Sequence, residues 1–422
     1  MKIHLYTIVL ALMLTLVFVA GCSDRGTNVG DDVALVEGGV KPHRHIFFHE
    51  LLFQIRNEYQ ILEIASYTPK VSYPPISGGE LKPVPTLILL PPQGGDQFFY
   101  FNHGLESLAD ELISTGVIQP MEIVCISNDA VFGGYFYGSK YPAAGNYDTL
   151  VGGTLVEYIH AALAPYTINS PAKRGIGGVG MGAYGAFRAA LKNPGTFCSV
   201  SAVDGPLDFD GSDGNGGFIS LFDDALTEQG ILNGNLNDFD SSSTYSLAQL
   251  FIGGALAFSP HDTALDYDLT YRAVDLDGDQ VPDAYDGVSI TINQRYVVAD
   301  STTLVSSVVG GDENFDFHMP FTSDGLPYQP VWDLWLENNL ENLLAGSTLE
   351  GVNMWVATTP ETRYGYHGQT ASWISTLQQQ GYPVTTMSYT GYDGLPATSD
   401  QYVYDLLRDM LIFHSECFGN DY

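Results

Sequence analysis

The chain has 422 residues, and its 16 Lys and Arg stand against 49 Asp and Glu, which gives a formal net charge of −33. So acidic a surface repels nucleic acids and anionic lipid headgroups, and we therefore exclude nucleic acid as an expected partner. The length is sufficient for one elaborated domain or for two.

The first residues have the pattern of an export signal. Lys2 precedes an apolar run over Ile8–Ala20, which is followed by Gly21 and Cys22. A charged start, a short apolar run and small residues before the cleavage point are typical of a secretory signal. A cysteine directly after the small residues resembles a bacterial lipobox, which implies that residues 1–21 are removed and that Cys22 carries lipid. An ordinary signal peptide with a chance cysteine is the alternative.

The next segment, residues 22–42, is polar and rich in Gly and Asp, as expected of a flexible tether. Lipid on Cys22 would hold the remaining residues, 43–422, at a membrane of the bacterial cell envelope. Ser23 after the cysteine favours the outer membrane in a host that sorts lipoproteins by the familiar proteobacterial rule. The face of that membrane, periplasmic or external, is left open.

Short apolar runs alternate with helical patterns along residues 43–422. The runs predict strands at Thr86–Leu90, Glu122–Ile126, Arg174–Gly178, Ser199–Val203, Val352–Ala357 and Val384–Tyr389. The helical patterns predict helices at Leu105–Leu112, Tyr147–Ala164, Met181–Leu191, Thr370–Gln380 and Asp400–Cys417. This alternation is typical of a mostly parallel sheet with helices on both faces, so the predicted fold class is α/β.

The alternation stops between about residues 208 and 345, where Gly, Asp, Ser and Asn are frequent and helical patterns are short. The stretch follows the carboxyl end of a predicted strand, which is the side of an α/β sheet on which site loops lie. It therefore predicts an inserted cap over the site.

Residues 275–286, inside this insertion, contain the strongest ligand pattern of the chain. Carboxylates stand at loop positions 1, 3, 5, 9 and 12, and position 7 offers a carbonyl oxygen, a spacing that suits the oxygen ligands of Ca²⁺. The run resembles EF-hand-like loops and thrombospondin type 3 repeats, although Gln280 replaces the usual glycine and the last position is Asp rather than Glu. The predicted ligands of a structural calcium ion are Asp275, Asp277, Asp279, Val281, Asp283 and Asp286. An acidic solvated loop is the alternative, and Asp208–Asn215 is a weaker second candidate.

Three glycines mark a turn between a predicted strand and the helix that follows it. Gly178, Gly180 and Gly182 stand where an α/β-hydrolase has the motif G-x-S-x-G, whose serine is the nucleophile on a strained strand-to-helix turn. The central position here is Gly180, which has no side chain. Glycine adopts such a backbone conformation without steric cost, so the turn can persist without its nucleophile.

From about Val71 to its end the chain resembles the secreted esterases of the α/β-hydrolase fold, the group that contains esterase D-like and mycolyltransferase-like proteins. The resemblance depends on the segments Val71–Ser77, Thr86–Gly95, Val131–Ser139, Gly178–Phe197, Ala257–Pro260 and Pro320–Trp335. It implies an α/β-hydrolase fold with a mostly parallel central sheet, helices on both faces and an inserted cap.

The catalytic positions that this resemblance implies depart from the family pattern. After the strand that ends near Ala357, the nearest carboxylate for the acid position is Glu361. After the strand that ends near Tyr389, the histidine position falls at Tyr392 and Asp393, where there is no imidazole. The oxyanion loop, which usually begins His-Gly, is replaced by Pro91-Pro92-Gln93-Gly94-Gly95.

A serine nucleophile works only with a base that takes its proton and a third group that holds the base. Because the nucleophile and the base are both missing from their expected positions, we predict a catalytically inactive protein that serves as a binding or structural module. Its ligand, a small molecule, a glycan or a protein, is left open. The alternative is a divergent carboxylic-ester hydrolase that uses a non-standard site, for example a water activated by Glu361 or Asp393.

Overall fold

The architecture was analysed in a computed structural model, which describes residues 46–55, 58–69, 83–127, 147–163, 166–211, 217–219, 221, 247–259, 272–274, 287–289, 305–310, 313–318, 320, 327, 329–359, 366–389 and 400–419. The predicted lipidation site Cys22, the predicted catalytic positions Glu361, Tyr392 and Asp393, and the predicted calcium loop 275–286 lie outside these residues.

The core of the fold is one eight-stranded sheet. Its strands are β1 (Ile46–Ile55), β2 (Glu58–Tyr67), β3 (Thr86–Leu90), β4 (Glu122–Ile126), β5 (Arg174–Val179), β6 (Ser199–Val203), β11 (Asn353–Thr358) and β12 (Val384–Ser388). They are arranged in the order β1-β2-β4-β3-β5-β6-β11-β12. The pairs from β4 to β12 are parallel, whereas β1 and β2 are antiparallel to each other and β2 is antiparallel to β4. The predicted α/β class and its mostly parallel sheet are therefore confirmed.

Four short strands lie between β6 and β11 in sequence and form two separate antiparallel pairs. They are β7 (Arg272–Val274), β8 (Gly287–Ser289), β9 (Val305–Gly310) and β10 (Glu313–His318). β7 pairs with β8, and β9 pairs with β10. All four belong to the stretch that the sequence predicts as an insertion.

Helices follow most of the parallel strands. They are α1 (Phe99–Asn102), α2 (Leu105–Ser114), α3 (Tyr147–Thr149), α4 (Leu155–Ala162), α5 (Met181–Lys192), α6 (Leu247–Phe258), α7 (Gln329–Leu336), α8 (Leu340–Ala345), α9 (Tyr366–Gln379) and α10 (Asp400–Phe418). A π-helical turn over Leu150–Thr154 connects α3 to α4. None of the described helices combines the length and the apolar character that a membrane span requires.

The sheet separates two buried apolar clusters. One cluster joins α4 and α5 to α6–α9, and the other joins α1, α2 and α10. α7 and α8 contribute Trp335, Leu340 and Leu344 to the first cluster, so the end of the predicted insertion is part of the main core. Among the described cysteines Cys125 is buried, Cys198 and Cys417 are half-buried, and all three are free thiols.

A buried ion pair fixes α5, the helix that follows the glycine turn. Arg188 Nε and Nη2 donate to the two carboxylate oxygens of Asp148 at 2.6 and 2.8 Å. Arg188 Nη1 donates to Tyr184 Oη and to Asn338 Oδ1, both at 2.9 Å. A bidentate guanidinium–carboxylate contact is geometrically specific, so α5 has one orientation relative to α3 and to the end of α7.

Candidate active site

The glycine turn has the backbone geometry that a nucleophile would need. Gly180 lies between β5 and α5 with φ 60° and ψ −120°. Its amide donates to Val203 O, at the end of β6, at 2.8 Å. A residue with a side chain rarely adopts such a conformation, and holding it there costs about 1–3 kcal/mol. The turn therefore keeps its strained path while its central residue has no attacking atom.

The two flanking glycines are required by close packing. A Cβ added to Gly178 would lie 2.4 Å from the carbonyl of Gly182, and one added to Gly182 would lie 2.2 Å from Leu90 O. Both contacts involve backbone atoms, which cannot rotate away. A Cβ at Gly180 meets nothing closer than Pro92 Cβ, at 3.4 Å. Gly178 and Gly182 therefore permit the close approach of the strand and the helix that follows it.

The loop after β3 passes directly over this turn. It contains Pro91 and Pro92, followed by a tight turn in which Gly94 has φ 72° and the Gly95 amide donates to Pro92 O at 2.9 Å. Proline has no N–H, so neither of the first two residues of the loop can donate a backbone hydrogen bond. In an α/β-hydrolase a loop at this place supplies one of the two N–H groups that stabilise the oxyanion.

Asp204, the first residue after β6, is a site residue that the sequence reasoning missed. It is 2 % exposed and has φ 45°, the only positive φ of a non-glycine residue within the described part of the chain. The Thr359 amide donates to its Oδ1 at 2.8 Å, and the Tyr402 hydroxyl donates to Oδ2. Its carboxylate therefore joins the ends of β6 and β11 to α10, beside the glycine turn.

Burial raises the pKa of Asp204 to about 6, against the opposing effect of the hydrogen bonds from Tyr402 and Thr359. A strained backbone conformation and a carboxyl group with a shifted pKa, found together at one residue, are typical of a functional position, although structural networks also produce them. The signal was present in the sequence, because Asp204 comes directly after a predicted strand whose carboxyl end faces the site.

The predicted acid and base positions follow strands that end at this same edge. β5, β6, β11 and β12 are parallel neighbours, so their carboxyl ends meet near Gly180. Glu361 comes three residues after the end of β11, and Tyr392 and Asp393 follow β12 by four and five residues. All three lie outside the described residues, so their placement stays a prediction.

The predicted calcium loop also lies outside the described residues, but the strands on either side of it are described. β7 ends at Val274 and β8 begins at Gly287, and these two residues are directly paired. Residues 275–286 are therefore flanked by two directly paired residues.

The weaker metal candidate, Asp208–Asn215, has its first carboxylate engaged by protein groups. Asn339 Nδ2 donates to Asp208 Oδ1 at 3.0 Å, and Ser372 Oγ donates to Oδ2 at 2.6 Å. Asp213 and Asn215 lie outside the described residues. Across the described segments no three His, Cys, Asp or Glu side chains come together as a metal site.

Comparison with known proteins gives one family match and several similar solved structures. Residues 65–237 match the family described as "Putative esterase". A solved ferulic acid esterase is similar at 13 % identity and a TM-score of 0.50, with 90 % of this chain and 100 % of that one covered. An S-formylglutathione hydrolase from Agrobacterium tumefaciens is similar at 13 % identity and a TM-score of 0.47, covering 93 % and 99 % of the two chains. Mycobacterium tuberculosis MPT51 is similar at 10 % identity and a TM-score of 0.43, covering 88 % and 98 %. No curated protein matches the chain by sequence.

The sheet order, the strained turn after β5 and the similarity to the solved ferulic acid esterase define the fold of the protein. It has an esterase-like α/β-hydrolase fold.

Proposed function

We propose that this protein is a catalytically inactive member of the esterase-like α/β-hydrolases that acts as a binding or structural module in the bacterial cell envelope. The observation that carries the proposal is Gly180, which occupies the tip of the strained turn between β5 and α5. Acyl transfer by a serine hydrolase begins with attack from that position. Glycine supplies no atom for the attack and relieves the strain of the turn.

Two further features support inactivity. Pro91 and Pro92 remove two backbone N–H groups where the loop after β3 crosses the turn. The segment after β12 contains no histidine between residues 389 and 413, so the usual base is missing from that segment. These changes concern three separate parts of the catalytic apparatus, which argues against a single displaced residue.

The proposed location follows from the first residues of the chain. Cleavage before Cys22 and lipidation of that cysteine would tether the domain through residues 22–42 to a membrane, with the outer membrane favoured. The acidic surface and the proposed calcium ion suit an extracytoplasmic setting, where Ca²⁺ is plentiful. The module would bind its small-molecule, glycan or protein ligand through the crevice at the carboxyl ends of the strands.

A divergent carboxylic-ester hydrolase is the second candidate, and Asp204 favours it. This carboxyl lies beside the glycine turn, and burial raises its pKa to about 6, in the range suited to a general base near neutral pH. A water in the space left by the missing serine side chain would be the nucleophile. Against this role, both oxygens of Asp204 already accept hydrogen bonds from Thr359 and Tyr402.

Ester hydrolysis by the purified protein distinguishes the two candidates. We expect no turnover of p-nitrophenyl acetate, p-nitrophenyl butyrate or methyl ferulate above the buffer rate, and no labelling by a fluorophosphonate probe. The Gly180→Ser variant should also remain inactive, because the segment after β12 offers no histidine to activate the new hydroxyl. Wild-type turnover that the conservative change Asp204→Asn abolishes would establish the hydrolase instead.

A further inference from the structure

β12, the last strand of the sheet, is exposed in a way that the other parallel strands are not. Every residue of β3, β4, β5 and β6 is buried. In β12 four of the five residues are exposed, and Met387 has 41 % of its surface accessible. Strands of parallel sheets in α/β proteins are normally covered on both faces. The exposed residues of β12 alternate between both faces, so this end of the sheet is incompletely covered.

The neighbouring helices account for the difference. α9 packs against β11 and β12, whereas α10 packs against β5, β6 and β11. On its outer side β12 has no hydrogen-bonded neighbour among the described strands. Within the described part of the chain, the backbone N–H and C=O groups on that side therefore have no strand partner, which leaves an edge five residues long.

The same region lacks charge in a chain that is otherwise strongly acidic. Charged residues make up 15 % of the sequence, yet no Asp, Glu, Lys or Arg occurs from Tyr364 to Tyr392. The exposed residues of α9 and the turn after it are small or uncharged, including Ser375, Gln378 and Gln379. Depletion of charge is the compositional mark of the centre of a protein interface. Natural open edges are usually protected by charged side chains, which β12 does not have.

We propose that this uncharged face, formed by β12 and the outer side of α9, joins two copies of the chain. The two β12 strands would pair antiparallel about a two-fold axis that is normal to the sheet and passes midway between the two Thr386 residues. This register places Thr385 opposite Met387 and Val384 opposite Ser388, with no pair of like charges. The axis keeps both α9 helices on one face of a continuous sheet, where they pack beside each other and extend the interface.

The net charge of the chain is our reason for proposing a second copy, and not another protein, as the partner at this face. Two copies that each have a net charge of −33 repel across the rest of their surfaces, so they can approach only through a face without charge. A basic partner would be attracted instead to the acidic surfaces. A stable dimer buries about 1,200–2,000 Å² in total, which is more than one short strand pair supplies, so the α9 helices must contribute to the contact.

Sedimentation analysis tests the proposal with a matched control. At 0.5 M NaCl, which screens the general repulsion, the wild-type protein should sediment at twice the mass of a single purified chain. Thr386→Lys or Met387→Lys places two like charges at the axis and should raise the dissociation constant at least about a hundredfold. Val117→Lys changes a large apolar residue that is also highly exposed, at 48 %, but lies away from β12, and should leave the dimer intact. A wild-type monomer at 100 µM, or a dimer that survives both lysine substitutions, overturns the proposal.

Cross-linking checks the register independently. In the proposed pairing the two Thr386 residues face each other at the distance of directly opposed strand neighbours. Thr386→Cys should therefore form a disulfide-linked dimer under mild oxidation, whereas Val117→Cys should not. A lysine variant that is monomeric but retains the wild-type circular dichroism spectrum excludes misfolding as the cause. Equal cross-linking of the two cysteine variants would contradict the two-fold register.

Discussion

Glu122 is a carboxyl group in the core of the sheet, at the first position of β4. It is fully buried, and its Oε1 accepts a hydrogen bond from Thr68 Oγ1 at 2.8 Å. Burial raises its pKa to about 8, although hydrogen bonds from Thr68 and Ser66 act in the opposite direction. The side chain is therefore protonated in the folded protein at neutral pH.

The stability of the protein should consequently depend on pH through Glu122. The unfolded chain releases this proton near pH 4.5 and the folded protein only near pH 8, so the folded state binds more protons between these values. The contribution of Glu122 to the free energy of unfolding must therefore decrease as the pH rises from 4.5 to 8. The total decrease is about 5 kcal/mol, from 1.36 kcal/mol for each unit of pKa difference.

The isosteric variant Glu122→Gln has no such titration. Urea unfolding of the two proteins at pH 5, 6, 7 and 8 should show the variant gaining stability relative to the wild type at each step. Taking the difference between the proteins cancels the titration of Asp204, His160 and His414, which also shifts on folding. Parallel stability curves for the two proteins would show that Glu122 is not buried as described.

Among the elements, the connection of β5 to α5 depends on glycine in two distinct ways. Gly182 is required by space, because a Cβ there would overlap the backbone of Leu90. Gly180 is required only for its backbone conformation. Its φ is 60°, whereas a Cβ there would make no contact shorter than 3.4 Å. Gly153, in the π-helical turn, is constrained by neither, since a Cβ there meets nothing within 4 Å.

Alanine substitution should rank these glycines. Gly182→Ala forces a backbone shift and should cost more than about 4 kcal/mol or prevent folding. Gly180→Ala should cost about 1–3 kcal/mol, the value of one strained residue. Gly153→Ala should be neutral or slightly stabilising, because it reduces the entropy of the unfolded chain. Urea denaturation measures the order, and equal losses at Gly180 and Gly153 would contradict the strained turn.

The sequence predicted those elements whose signal is local. The six predicted strands are present with ends shifted by one residue at most, since each is a short apolar run between polar turns. The predicted helix Tyr147–Ala164 contains a π-helical turn instead of a continuous α-helix. In that turn Gly152 is in close contact with the Asn193 side chain, which comes from the end of α5. Such a contact depends on tertiary packing, so the sequence around Gly152 contains no pattern that predicts it.

The candidate site was predicted unevenly for the same reason. The turn at Gly180 has a sequence motif, so its place between strand and helix could be predicted. Asp204 has no sequence motif. We single it out because it is buried, has a positive φ and accepts hydrogen bonds from Thr359 and Tyr402, which lie 155 and 198 residues away in sequence. A carboxylate after a parallel strand was visible in the sequence, but only the folded arrangement shows which groups it joins.

At the scale of the whole molecule, the excess of acidic residues makes cations important for stability. Self-repulsion of a net charge of −33 destabilises the compact state, and any salt reduces it. A specific calcium ion at residues 275–286 would act in addition, by binding the folded chain and not the unfolded one. The adjacent pairing of Val274 with Gly287 supports such a site, because it holds the two ends of the loop together.

Calcium removal should therefore lower the melting temperature beyond the effect of ionic strength. Binding contributes about 2.7 kcal/mol at a Ca²⁺ concentration one hundred times the dissociation constant, which corresponds to a shift of several degrees. Differential scanning fluorimetry with EGTA, and with Ca²⁺ or Mg²⁺ at matched ionic strength, measures it. Asp279→Asn removes one predicted ligand charge and should weaken the response to Ca²⁺ alone. Equal stabilisation by Mg²⁺, together with no bound calcium by elemental analysis, would assign the whole effect to screening.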